Sequence, residues 1–188
     1  MQLQFPKSDI PRFAKKYCEC FFTGNPSTQA EREKKLIAMR DEVSEQGYLD
    51  IDILQKVATW LKVQNVRRIE NNNSENDVIE RTHEALQNGD EPVLARPRQD
   101  GGLYGVGPVV ATAILHFFHK DPYPILSRYS VKSFGEEERY NDSLNYWQEY
   151  VTFWQEYVTD CRTLAESATF EEMRTLDRAL WWYANREV

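Results

Sequence analysis

The sequence predicts an all-α fold, on three observations. Helix start and stop signals recur along the chain. Runs of alternating β-branched residues, the mark of half-buried strands, do not occur. The long charge-free stretch "GVGPVVATAIL", Gly105 to Leu115, carries two glycines and a proline just where a buried helix would begin. A chain of 188 residues can bury a substantial core. With no stretch of linker composition, one helical domain over residues 1–188 is expected.

The elements follow in order. "PSTQAEREKKLIAMRDEVSEQG" opens on polar caps and closes on Gly47, which predicts one helix of about five turns. "DIDILQKVATWLK" predicts a second, with Ile51, Leu54, Val57, Ala58 and Leu61 on one face. In "SENDVIERTHEALQNG", Ser74 reads as the N-cap with Asp77 three residues on, and Gly89 as the stop. "YWQEYVT" at 146–152 is followed at once by "FWQEYVT" at 153–159. A period of seven is nearly two turns, so Trp147, Tyr150, Val151, Trp154, Tyr157, Val158 and Cys161 share an apolar face. Two copies make neither a solenoid nor a coiled coil. The face reads as core, with base stacking or dimerisation as the alternatives. "TFEEMRTLDRALWWYAN" opens on a capping box, Thr169 with Glu172.

The three cysteines, Cys18, Cys20 and Cys161, form neither an even disulfide set nor a paired Cys-x-x-Cys pattern. Reduced core thiols are expected, with no metal and no cofactor. No apolar stretch approaches eighteen residues, and "MQLQFPKSDIPRF" lacks the basic start and apolar core of a leader. A cytoplasmic location and no membrane partner are expected. A net charge of -7 argues against a nucleic-acid partner unless the charge is unevenly placed. It is uneven. From Glu136 onward, twelve acids and five bases give -7. From Pro92 to Gly135, Arg96, Arg98, Lys120, Arg128 and Lys132 stand against Asp100 and Asp121, a balance of +3, with His116 and His119 beside them.

The glycines lie in this basic segment. "RQDGGLY" can end one short helix, and "GVG" can turn tightly with Gly105 and Gly107 in conformations closed to other residues. Pro108 then suits the first turn of the next helix. Such a hairpin offers unpaired N–H groups and a partial positive charge, suited to one DNA phosphate that a Cβ on either glycine would hold away. A plain turn between two helices is the competing reading.

"LYGVGPVVATAILHFF" followed by "YPILSRYSVKSFG" resembles the helix-hairpin-helix DNA glycosylase superfamily, the group containing the adenine-mismatch glycosylase and endonuclease III. Leu103, Gly105, Val106, Gly107, Ala111, Ala113 and Pro124 match its signature: a leucine, a G-V-G hairpin, a small-residue helix and a P-x-x-D segment. The match runs from Leu103 to Gly135, about a sixth of the chain. "WLKVQNVRRIENN" and "RTLDRALWWYANRE" also resemble flanking segments of small bacterial members. The resemblance implies a helical glycosylase-like fold with its hairpin and site at 99–135 and double-stranded DNA as partner. It also implies DNA contacts from Gly105, Val106, Gly107, Pro108, Val109, Arg128 and Lys132.

The sequence departs from that pattern at two positions of chemical weight. Bifunctional members carry a lysine two residues after the second hairpin glycine, where it forms a Schiff base; here that residue is Val109, and no lyase step is expected. The P-x-x-D aspartate, which faces the sugar cation, is replaced by Ser127, a neutral group and a poor base. Asp121, six residues earlier, and Glu136 to Glu138 are nearby substitutes, and Glu42, Glu45, Asp50 and Asp52 more distant ones. Three readings stay open. One is a monofunctional DNA N-glycosylase that flips out a damaged or modified base, such as a hypermodified phage base. The others are a catalytically silent DNA-binding module and a helical domain whose acidic C-terminal third binds another protein.

Overall fold

The computed structural model describes residues 1–22, 28–64, 66–96, 100–165 and 169–185. Among them the regular structure is helical throughout, with no strand. After a 3-10 turn at Lys7–Asp9 come α1 (Ile10–Phe22), α2 (Thr28–Ala38), α3 (Arg40–Gln46), α4 (Ile51–Trp60), α5 (Arg67–Asn72) and α6 (Glu75–Asn88). They are followed by α7 (Glu91–Ala95), α8 (Pro108–Phe118), α9 (Arg128–Lys132), α10 (Glu137–Ser143), α11 (Trp147–Leu164) and α12 (Phe170–Asn185). The all-α class is as expected. Within the span 1–188 the chain divides into two compact units. A terminal unit is built from both ends, Met1–Asn25 with Tyr123–Val188, and an internal unit from Pro26–Pro122.

The internal unit forms around α8, which packs against α3, α4, α6 and α7. Every residue of α8 from Val110 to Phe118 is buried, as its charge-free sequence requires. Trp60 of α4 meets Phe117 edge to face at 5.0 Å. Each such apolar side chain taken out of water contributes about 1.5–3 kcal/mol. Local signals set the boundaries. Asp50 caps α4 by accepting from Ile53 N at 2.7 Å, Ser74 caps α6 by accepting from Asp77 N at 3.1 Å, and Gly89 ends α6 at φ +64°.

Two expectations here are corrected. The helix expected up to Gly47 breaks at Met39, whose N–H bonds three residues back, to Leu36 O. The break lets α2 pack on α4 while α3 packs on α8, so that Leu36 and Val43 are both fully buried. On α4, Ile53 and Trp60 are buried, whereas Ile51 and Leu61 are half-exposed, because the helix has partners on several sides.

In the terminal unit α12 packs against α1, α9 and α11. The core is aromatic: Tyr17 meets Trp181 edge-on at 5.4 Å, and Phe134 meets Tyr157 at 5.8 Å. The repeat helix α11 buries Tyr150, Phe153, Trp154, Tyr157, Val158 and Cys161, while Trp147 and Val151 are half-buried, so the stripe is core over most of its length. Arg174 is fully buried and paired with Asp177, which avoids the cost of a lone buried charge. Of the expected core thiols only Cys161 is buried; Cys20 is exposed and Cys18 half-buried, since α1 turns them away from its packed face. No helix among the described residues is long and apolar enough to cross a membrane.

Candidate nucleic-acid interface

The expected site segment 99–135 is shared between the units. Gly105 to Val109 and Asp121 belong to the internal unit, and Ser127, Arg128 and Lys132 to the terminal one. Gln99 and Arg98 lie outside the described residues.

The hairpin is a tight turn. Val106 N donates to Leu103 O at 3.3 Å, with both side chains buried as anchors. Gly105 sits in the left-handed region at φ +77°, and a Cβ there would lie 2.9 Å from Ile69 Cγ1. Both facts demand glycine for the fold itself. Gly107 differs. Its backbone is extended, at φ -93° and ψ -175°, a conformation open to any residue. It is exposed, and a Cβ built on it would meet nothing within 4 Å among the described residues. The expectation that both glycines adopt conformations closed to other residues therefore holds at Gly105 and is corrected at Gly107.

Gly107 is the N-cap of α8 and Pro108 its first residue. The first turn of a helix has N–H groups without intrahelical acceptors. Pro108 has no N–H, and the glycine cap has no side chain to satisfy those of the following residues. Pro108 and Val109 are half-exposed. The short helix that precedes the hairpin, α7, ends at Ala95.

Sequence reasoning missed what holds the turn. Asn73, which ends α5, accepts from Tyr104 N at 2.7 Å and donates to Tyr104 O at 3.0 Å and Ile69 O at 2.8 Å. One side-chain amide thus clamps the residue before Gly105, while Ile69, four residues earlier on the same face, fills the space beneath that glycine. No sequence signal links residues 31 apart.

The serine segment is built differently. Ser127 is the N-cap of α9: its Oγ accepts from Ser130 N at 3.2 Å, and its N–H donates to Ser130 Oγ at 2.9 Å, a reciprocal capping box. Ser130 Oγ also lies 2.9 Å from Ile125 O, which accepts from the buried Tyr157 hydroxyl at 2.9 Å. Burial holds that phenol, and the neighbouring Cys161 thiol, protonated well above their ordinary ranges. The Ser127 hydroxyl is therefore committed to its own helix.

The remaining side chains divide in the same way. Lys132 Nζ donates to Ala184 O at 3.4 Å, near the end of α12, where a cation is favoured. Arg128 is exposed, its guanidinium 5.8 Å from the centre of the Tyr129 ring. Asp121 is exposed; its backbone is tied to His119 Nδ1, and its carboxylate takes no hydrogen bond or ion pair among the described residues. Glu136 reaches Arg139 at 3.9 Å, and Asp50 is spent on its cap. No group of three or more metal-ligating side chains occurs among the described residues.

Fold and site together define an all-α chain in which a clamped glycine turn feeds an uncapped, otherwise buried helix. No protein-family model matches it significantly, and neither a curated protein nor a solved structure does.

Proposed function

We propose that the chain binds double-stranded DNA through the Gly105–Gly107 hairpin, one phosphate being held by the N–H groups that open α8. The observation that carries this reading is Gly107. Among the described residues its missing side chain serves no contact and no backbone conformation, and it leaves the first turn of α8 without a side-chain cap, where an anion can take the open N–H groups. Neutral backbone donors bind without bringing many cations, which suits a chain of net charge -7 and implies a shallow salt dependence. The direct test is fluorescence anisotropy of wild type with a labelled duplex at two salt concentrations. Saturable binding that weakens only modestly with salt supports the reading, and no binding at low salt rejects it.

Base excision is the second reading, favoured by Asp121. A carboxylate that is exposed and takes no partner among the described residues can face a sugar cation, whereas the Ser127 hydroxyl is already committed to its cap. With Val109 in place of an amine, release of a damaged or hypermodified base would leave an intact abasic strand that breaks only in hot alkali, and borohydride would trap no adduct. In this reading Asp121→Asn lowers base release by roughly two to three powers of ten, the usual effect of removing a transition-state stabiliser. Binding without release from a panel of damaged, mismatched and modified duplexes leaves the silent DNA-binding module.

A further inference from the structure

The cations of residues 92–135 do not all belong to the hairpin's own unit. Arg128 and Lys132 belong to the other unit, and Lys132 is engaged on α12. A different set stands on a helix that itself touches the hairpin. Ile69 lies under Gly105 and Asn73 clamps Tyr104, so α5 and the turn form one piece of structure. On that same helix Arg67 and Arg68, the two residues before Ile69, are exposed and enter no ion pair among the described residues. From Thr59 to Ile69 the chain carries three cations and no acid. The acid that follows, Glu70, accepts from Gln55 Nε2 at 3.3 Å.

We propose that the nucleic-acid surface of the internal unit continues from the hairpin onto α5, where Arg67 and Arg68 take phosphates neighbouring the one held at Gly107, with Asn73 as the positioning residue that fixes the two elements together. The proposal rests on the hairpin reading, and it assigns the charged part of the interface to residues more than thirty positions before it. Hairpin donors bind a phosphate without a counter-charge, whereas each arginine replaces condensed cations on the strand. The two contributions therefore separate in the salt dependence.

The experiment compares full-length variants on one labelled duplex of about two helical turns, between low and moderate salt. Arg67→Ala/Arg68→Ala should weaken binding at low salt about tenfold or more and reduce the slope of log affinity against log salt by about two, since each phosphate contact contributes close to one. Arg67→Lys/Arg68→Lys, which keeps the charge, should stay within about threefold of wild type and retain the slope. Asn73→Ala should weaken binding several-fold with the slope nearly unchanged, because it misplaces neutral donors. Both arginines are exposed, so circular dichroism melts should match wild type. Lys15→Ala/Lys16→Ala removes the same charge from the terminal unit and should change affinity less than about twofold. An Arg67→Ala/Arg68→Ala protein that binds like this control, while Gly107→Val loses binding, overturns the extension alone. A wild type that binds no duplex overturns the extension and the hairpin reading together.

Discussion

The starts of α8 and α9 lie twenty residues apart in a segment that reads as one motif, yet they are finished in opposite ways. At α9 the chain supplies its own ligands, as Ser127 and Ser130 cap each other and Ile125 O takes a third bond. At α8 the cap is a glycine without a side-chain cap bond, the first residue is proline, and a Cβ on the glycine would meet nothing within 4 Å among the described residues. The difference separates two kinds of unusual residue. The serine at 127 has a full explanation in local structure, as the cap of α9. A glycine at 107 has no such explanation among the described residues, which is what the proposed phosphate contact would supply. Gly105 provides the internal control, being two residues away and required by the fold on two counts.

Substitutions at the two helix starts put the contrast to the test. The largest effect on stability is expected at Gly105→Val. A β-branched residue in the left-handed region, 2.9 Å from Ile69 Cγ1, should cost about 3 kcal/mol or more, read as a lowered denaturant midpoint. Ser127→Ala removes the α9 cap and should cost about 1 kcal/mol, while Ser127→Asp, an equally good cap beside the positive end of a helix, should be nearly neutral. If Ser127→Ala leaves the melting curve unmoved, the serine is not a cap and its role must be sought elsewhere.

A smaller effect follows from the buried pair behind that segment. The Cys161 thiol and Tyr157 phenol both have folded pKa values raised by burial. Their contribution is complete below the unfolded values, about 8.5 and 10, and is lost as pH rises past them. Urea unfolding should show stability falling between pH 8 and 10, and Cys161→Ala should flatten that fall while lowering stability at pH 7. The least perturbing check uses a thiol reagent under native conditions. The exposed Cys20 should react fast and Cys161 only on unfolding; rapid native labelling of Cys161 would contradict the packing of α11.

Much of this fold is local and was legible for that reason. Ser74, Gly89 and the charge-free run of α8 announce their boundaries within a few residues, and the structure has them there. The break at Met39 is set by two different packing partners, α4 and α8, which no local pattern records. Of the candidate site, the turn and the start of α8 were legible from Gly105, Gly107 and Pro108. Asn73 and Ile69 were not, because their contact with the turn spans more than thirty residues. Ser127 is the instructive case. Its cap pattern, a serine with another three residues on, is as local as that of Ser74, but the resemblance assigns the position to an aspartate and draws the reading toward chemistry.

The contrast between the two glycines is tested most directly by one paired measurement on Gly107→Val: its denaturant midpoint, and its affinity for a duplex at low salt, each beside wild type. An extended backbone facing open space should accept the side chain with a change of less than about 1 kcal/mol in stability, while DNA affinity drops by roughly tenfold or more as the Cβ and its methyl groups hold the phosphate off. A folded Gly107→Val protein that binds duplex as well as wild type would contradict the assignment of the hairpin to DNA and leave Gly105–Gly107 as a turn between two helices.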